Sequence, residues 1–79
     1  MQLKIKSPEK NLYDGEVYGF KGRALDGDLV CLDHHQDYLT ILQKGDLVIL
    51  DEKLAEKEKV TLPSSYILMI ENNAAILFS

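Results

Sequence analysis

The chain has 79 residues, which is enough for one domain and too few for two. Thirteen acidic and nine basic residues give a net charge of −4, and the lysines are scattered, so the composition argues against a nucleic-acid-binding surface. Hydrophobic residues make up 46% of the chain, which predicts a globular core, and Cys31, the only cysteine, cannot form a disulfide within the chain.

The N-terminal half predicts short strands separated by turns. Polar and apolar residues alternate from Gln2 to Lys6, which is typical of a half-buried strand and unlike a secretory signal. Asp14-Gly15 predicts a hairpin turn, after which Glu16 to Phe20 resumes the extended pattern. Asp26-Gly27 predicts a second turn before a strand from Leu29 to Leu32.

The C-terminal half continues in the same way. The charged segment from Asp51 to Lys59 predicts an exposed hairpin, with a helical turn as the alternative. The remaining predicted strands are Tyr38 to Leu42, Leu47 to Leu50, Glu58 to Leu62, Tyr66 to Ile70 and Ala74 to Phe78. Because turn signals recur about every eight to twelve residues, we expect a single all-β domain over residues 1–79: a two-sheet antiparallel β-sandwich of about nine or ten short strands.

The triplet Asp33-His34-His35 is the first candidate site. Metal-dependent phosphoesterases hold divalent cations with the same three residue types. On an extended backbone Asp33, His35 and Asp37 share one face, and His34 lies on the other. The chain offers no distant ligands and is too small for a closed cleft, so we expect a polar surface loop without metal, cofactor or catalytic residues. A small metal-dependent hydrolase using these four residues is the less favoured alternative.

Longer segments carry a family resemblance. The opening MQLKIKSPEKNLYDGEV has an alternating strand, a Ser-Pro-Glu break and a Gly-Glu-Val step. Asp26-Gly27-Asp28-Leu29 is similar to a Gly-acid-Leu/Phe turn, Leu32 to His35 to a Leu-Pro-x-His segment, and Leu42 to Ile49 to Leu-x-Pro-Gly-x-Val-x-Ile. In this order, and over nearly the whole chain, these segments resemble the N-terminal β-sandwich domain of the epsilon subunit of F-type ATP synthases, called delta in mitochondria.

Other segments refine this resemblance or depart from it. His35-Gln36-Asp37-Tyr38 is similar to a variant found in the alternate, sodium-type branch of these ATPases. Arg23-Ala24 stands where the family has Pro-Gly, Val30 stands where it has glycine, and Pro63 to Tyr66 replaces a Gly-Gly step. The C-terminal helical hairpin of the family is absent from these 79 residues, so its inhibitory role does not carry over.

The resemblance implies a non-catalytic rotor subunit, in the cytoplasm and peripheral to the inner or plasma membrane, that couples the gamma subunit to the c-ring. The turn acid that contacts the c-ring loops corresponds to Asp28. The loop histidine near the gamma and c-ring surfaces corresponds to His35, and Asp37 and Tyr38 follow it in the same patch. A free-standing β-sandwich module with another partner is the alternative from the class of binding proteins.

The run Tyr66 to Ile70 is the last candidate. Five consecutive apolar residues cannot all hide on one face of a strand. Either both faces are covered within the domain, or one set of side chains docks on gamma. We expect that set to be Tyr66, Leu68 and Ile70, with Ile67 and Met69 as the alternates.

Overall fold

The computed structural model describes all residues from Met1 to Ser79 and contains nine β-strands and no helix. The strands are β1 (Gln2–Lys6), β2 (Asn11–Glu16), β3 (Gly19–Ala24), β4 (Gly27–Leu32), β5 (Tyr38–Leu42), β6 (Gly45–Leu50), β7 (Glu56–Leu62), β8 (Tyr66–Glu71) and β9 (Ala74–Phe78). The predicted all-β fold is therefore confirmed. There is, accordingly, no helix that could span a membrane.

The strands form two layers. The first sheet has the order β2-β1-β9-β8-β5, and the second has the order β4-β3-β6-β7. The layers join where Ala24 of β3 pairs with Leu42 of β5. Every pair is antiparallel except β1 with β9, which run parallel. This exception is possible because the two strands lie near opposite ends of the chain, so no short turn has to connect them.

The core lies between the two sheets and contains no buried polar or charged residue. Alternation decides which side chains enter it: Leu3 and Ile5 of β1 are fully buried, whereas Gln2 and Lys4 point outward. Each large side chain buried in this way contributes about 1.5–3 kcal/mol to folding. The largest fully buried side chains are Tyr66, Phe20, Leu3, Ile5, Leu42, Leu47, Ile49, Leu62, Leu68, Ile70, Leu77 and Cys31.

The predicted hairpin turn at Asp14-Gly15 is wrong. Both residues lie inside β2, where they pair with Lys4 and Leu3 of β1. The chain leaves the first sheet at Val17, whose backbone N–H donates to the carbonyl of Met1 at 2.8 Å. Pairing with β1 therefore outweighs the local turn preference of Asp-Gly.

Two other turns follow local chemistry. The Asp51 carboxylate accepts hydrogen bonds from the backbone N–H groups of Lys53 at 2.8 Å and Ala55 at 3.0 Å, which closes the β6–β7 hairpin. The charged hairpin is thus confirmed, and the helical turn does not form. Asn72 and Asn73 both have positive φ, 51° and 59°, as a two-residue type I′ turn between β8 and β9 requires.

The turns collect at two ends of the sandwich. One end holds Met1, the loop of residues 33–37 and the β8–β9 turn, and we call it the histidine end. The other holds the Leu25-Asp26 turn between β3 and β4, and we call it the hairpin end.

Candidate interaction sites

Side-chain hydrogen bonds fix the loop of residues 33–37 at the histidine end. The Asn73 side chain donates to Asp33 Oδ1 at 3.1 Å and accepts from the backbone N–H of His34 at 2.7 Å. The neighbouring Asn72 N–H donates to Asp37 Oδ1 at 3.2 Å. The type I′ turn therefore holds the loop in place, and His34 adopts a φ of 65° within it.

The α-ammonium group of Met1 lies beside the same loop. It donates to the carbonyl of Val17 at 2.7 Å, to Glu16 Oε2 at 2.8 Å and to Asp33 Oδ1 at 2.5 Å. Burial of the ammonium lowers its pKa, but the hydrogen bonds to Asp33 and Glu16 outweigh that effect, so the pKa is raised above 8.0. In turn, the hydrogen bonds from the ammonium and from Asn73 lower the pKa of Asp33 below 3.8.

Three of the predicted contact residues lie together at this end. The rings of His35 and Tyr38 are 5.9 Å apart between centroids and tilted by 58°. His35 Nδ1 lies 2.6 Å from the carbonyl oxygen of Gln36, within hydrogen-bond distance. Asp37 is exposed beside them. An imidazole, a carboxylate and a phenol therefore lie close together at the histidine end.

The loop geometry does not favour the hydrolase alternative. Asp33 is engaged by the Met1 ammonium and Asn73, and Asp37 accepts from the Asn72 backbone. The structure holds no cluster of three or more His, Cys, Asp or Glu side chains arranged to bind a metal ion. Asp33 instead anchors this surface loop through its hydrogen bonds to Met1 and Asn73.

Asp28 lies apart from the other predicted contact residues. It stands at the start of β4 opposite Arg23, whose Nε lies 3.7 Å from Asp28 Oδ1, and both side chains are well exposed. The four residue steps from Asp28 to Leu32 extend about 13 Å along β4, at roughly 3.3 Å per step. Asp28 therefore lies near the hairpin end, and His35 lies beyond the opposite end of the strand.

The assignment of Tyr66, Leu68 and Ile70 to partner docking is wrong for the folded domain. Their side chains are 1%, 0% and 1% exposed and belong to the core. The alternates Ile67 and Met69 point outward, and Ile67 is 40% exposed. The run had no alternation of polar and apolar residues, so the sequence could not tell which set faces inward.

The first sheet carries an apolar outer face that the sequence pattern did not reveal. Leu39, at 67%, is the most exposed large hydrophobic side chain in the chain. The strand registers place the six side chains of this surface in adjacent rows, Leu39 and Ile41 on β5, Ile67 and Met69 on β8, and Ile76 and Phe78 on β9. We call this set the apolar face. One sequence signal could have indicated this face: β5, β8 and β9 each contain more apolar residues than a single buried face of a strand needs.

Charged residues bound the apolar face on one side and occupy the opposite surface of the domain. Lys4 and Lys6 of β1 pair with Ile76 and Phe78. The second sheet presents Lys21, Arg23 and Asp46 among its outward residues. The two outer surfaces thus differ in chemistry, and only the first sheet has an extended apolar one.

Comparisons with known proteins agree on one family. The model of the family "ATP synthase, Delta/Epsilon chain, beta-sandwich domain" matches residues 1–79. The ATP synthase epsilon chain of Protochlamydia amoebophila (strain UWE25) is 31% identical over 75 residues, which cover 95% of this chain and 50% of that protein. The chain therefore spans half the length of this curated relative.

Two solved structures share the fold. One is a chain of the Tetrahymena thermophila mitochondrial ATP synthase central stalk and c-ring, with a TM-score of 0.72 and 18% identity, covering 98% of this chain and 60% of that one. The other belongs to the Euglena gracilis mitochondrial ATP synthase OSCP/F1/c-ring assembly, with a TM-score of 0.80, 14% identity and coverage of 98% and 48%.

Proposed function

Because the chain belongs to the delta/epsilon β-sandwich family of ATP synthases, we propose that it is a non-catalytic subunit of the central stalk that couples the gamma subunit to the c-ring. The observation that carries this proposal, beyond the family, is the apolar face. A domain with six outward apolar side chains on three adjacent strands is suited to a permanent partner. Its role is mechanical, since a rigid sandwich between two partners transmits torque without chemistry of its own.

Gamma is the partner that we assign to the apolar face. Burying that face against another protein contributes about 25 cal/mol per Å² of apolar surface, which favours a lasting contact. Ile67 and Met69 take the place of Tyr66, Leu68 and Ile70 in this contact, because only the former are outside the core.

The two ends of the sandwich suit two different contacts. Asp28 at the hairpin end is exposed and acidic, which fits the polar loops of a c-ring. His35, Asp37 and Tyr38 lie at the histidine end and so cannot share that contact without a partner that extends past the whole domain. We assign these three residues to gamma, next to the apolar face.

In this role the domain is peripheral to the membrane and is held there only through the complex. The translocated ion is a proton or sodium. The segment His35 to Tyr38 supports the sodium-type branch, and ATP hydrolysis by the assembled enzyme that requires sodium would agree with it.

Co-purification with the gamma subunit of the source organism tests the proposal. We expect the wild-type chain to retain gamma, and Ile67→Glu to lose it. Val30→Glu is the matched control, because Val30 is exposed to a similar degree, 50%, on the outer surface of the second sheet. A wild-type chain that binds no gamma subunit, or two variants that lose gamma equally, would overturn the assignment. Asp28→Asn should weaken the contact with the c-ring and leave gamma binding intact.

A further inference from the structure

The apolar face consists of two rows of side chains across the first sheet, and each row ends in a lysine on β1. The first row is Leu39, Met69, Ile76 and Lys4, and the second is Ile41, Ile67, Phe78 and Lys6. Neighbouring strands lie about 4.8 Å apart, so each row extends about 14 Å from β5 to β1. A partner that covers the apolar side chains therefore also reaches the two lysines.

Neither lysine has a counter-charge within the domain. Lys6 pairs across β2 with Asn11, which is neutral. Lys4 pairs with Asp14, but the Asp14 carboxylate accepts from Gln2 Nε2 at 2.9 Å and forms no ion pair with the lysine. The ion pairs of the domain all join other groups. Because an unpaired charge is costly at the border of a covered surface, these lysines favour a partner that brings carboxylates.

The border of the apolar face at the histidine end is acidic instead. Glu71 lies two residues beyond Met69 on the same outer face of β8, and it is exposed. Asp37 lies two residues before Leu39 and is exposed as well. Neither carboxylate forms an ion pair within the domain. The apolar face thus has a basic border along β1 and an acidic border at the histidine end.

A shallow depression of about 360 Å³ lies at the acidic border. It is lined by Asp37, Tyr38, Leu39, Met69, Ile70 and Glu71. Lysine and arginine side chains place their aliphatic stems on apolar surface and their charged groups beside carboxylates. The depression offers both, with Leu39 and Met69 for the stem and two carboxylates for the charge.

The outer surface of the second sheet shows a different arrangement of charge. There Arg23 Nε lies 3.7 Å from Asp28 Oδ1, and Lys59 Nζ lies 3.9 Å from Glu56 Oε2. Opposite charges that lie side by side compensate one another in water and direct no partner. On the first sheet the opposite charges lie on separate borders, which is the arrangement that steers and orients a complementary surface.

We propose that the gamma surface covering the apolar face carries carboxylates opposite Lys4 and Lys6 and a lysine or arginine in the depression between Asp37 and Glu71. This inference rests on the proposed function and adds the chemistry and orientation of the contact. The basic and acidic borders lie on adjacent sides of the apolar face. A partner turned by half a revolution would lose both sets of ion pairs, so the two borders together select one orientation.

The basic border is tested by the kinetics of gamma binding to the immobilised chain. Lys6→Glu should lower the association rate constant about fivefold or more at low salt, because it sets like charges against each other. The control is Lys21→Glu, which should change it about twofold or less. Lys21 is also exposed, has no ion pair and lies beside the apolar residues Val30 and Val48, but it is on the second sheet. Added salt should reduce the difference between the variants, since it screens exposed charges.

The acidic border is tested in the same way. Glu71→Lys should slow association by a similar factor, because it places a positive charge beside the cation of the partner. Glu52→Lys is the control, since Glu52 is exposed in the β6–β7 hairpin and forms no ion pair. Both changes raise the net charge equally, so a difference between them reports position and not overall charge.

The outcomes separate this inference from the proposed function. If the wild-type chain binds no gamma subunit, both are wrong. If Ile67→Glu loses gamma while Lys6→Glu and Glu71→Lys bind it like their controls, the proposed function stands and the orientation by charge is wrong.

Cross-linking of the wild-type complex tests the contact without any substitution. A carbodiimide condenses a lysine amine and a carboxylate that touch into an amide. We expect Lys4 or Lys6 to be joined to an Asp or Glu of gamma, as identified by mass spectrometry of the digested product. Joining of gamma through Lys21, with none through Lys4 or Lys6, would overturn the proposal.

Discussion

The side chain of Asn73 donates a hydrogen bond of 3.1 Å to Asp33, although forty residues separate them in the chain. Asp33 also accepts from the Met1 ammonium, so one carboxylate ties together the N-terminus, the loop after β4 and the turn before β9. The loop that carries His35 and Asp37 and leads into Tyr38 thus depends on contacts made by three distant parts of the sequence.

Asp33→Asn should lower the melting temperature by a few degrees. It should also make the melting temperature depend less on pH in the acid range. The pKa of Asp33 is lower in the folded state, chiefly through the hydrogen bond from the Met1 ammonium. A lowered pKa contributes stability above the unfolded value of 3.8, and this contribution is lost as the pH falls through the folded pKa. Thermal melts followed by circular dichroism between about pH 2 and 7 would measure this dependence. The control is Asp26→Asn, in the exposed β3–β4 turn, which should retain the wild-type slope of melting temperature against pH.

The Met1 ammonium should make the fold less stable as the solution becomes alkaline, whereas Asp33 makes it less stable in acid. Its pKa is raised above 8.0 in the fold, so its contribution is complete below that value and is lost as the pH rises through the folded pKa. Burial raises the pKa of Cys31 from 9.0 to about 11, which destabilises the fold in the same direction from about pH 9 upward. Melts of the Glu16→Gln and Cys31→Ala variants would separate the two sources. If the melting temperature does not fall above pH 8, the ammonium is not held as described.

The sequence predicted some strands of the fold accurately and others poorly. The bounds of β1, β5 and β9 agree with those expected, because alternation or a compact apolar run between turn residues marks each of them. The hairpin turn predicted at Asp14-Gly15 was wrong, because these residues pair with β1 and that pairing depends on the sheet and not on the neighbouring residues. The parallel pairing of β1 with β9 joins opposite ends of the chain, where no local signal exists.

The candidate site was predictable only in part. The family resemblance assigned His35, Asp37 and Tyr38 to one patch, and the structure places these three residues together. The apolar face requires the registers of β5, β8 and β9, which no single stretch of sequence contains. For the same reason the choice between Leu68 and Ile67 as a contact residue needed the structure.

His34 tests the backbone strain in the loop. Its φ of 65° lies in the left-handed region, which costs an L-residue about 1–2 kcal/mol. His34→Gly removes this cost, and after the added entropy of glycine in the unfolded chain we expect stability to rise by up to about 1 kcal/mol. His34→Val should instead lose at least about 1 kcal/mol, since a branched Cβ is poorly tolerated there. Urea unfolding of the three proteins would decide, and equal midpoints would contradict the assigned conformation.

Gly19 tests the approach of β3 to β4. A Cβ atom at this position would lie 2.6 Å from the carbonyl oxygen of Cys31, which belongs to the paired backbone and cannot move aside cheaply. Gly19→Ala should therefore cost about 1–3 kcal/mol, as other overpacked sites do. At Gly15 the nearest atom is Tyr13 Cε1 at 3.4 Å, an ordinary contact, so Gly15→Ala should be close to neutral. Similar unfolding midpoints for the two variants would argue against the close approach.

Tyr66 tests the core assignment of β8 directly. Its side chain is 1% exposed, and its hydroxyl is buried without a hydrogen-bond partner. Tyr66→Phe removes the unpaired hydroxyl and keeps the ring, so we expect equal or higher stability, by up to about 1 kcal/mol, and unchanged gamma binding. Tyr66→Ala opens a cavity in the core and should cost about 3–5 kcal/mol. If Tyr66→Phe instead weakened gamma binding while leaving the melting temperature unchanged, the hydroxyl would have to contact the partner, and the burial of Tyr66 in the domain would not describe the assembled state.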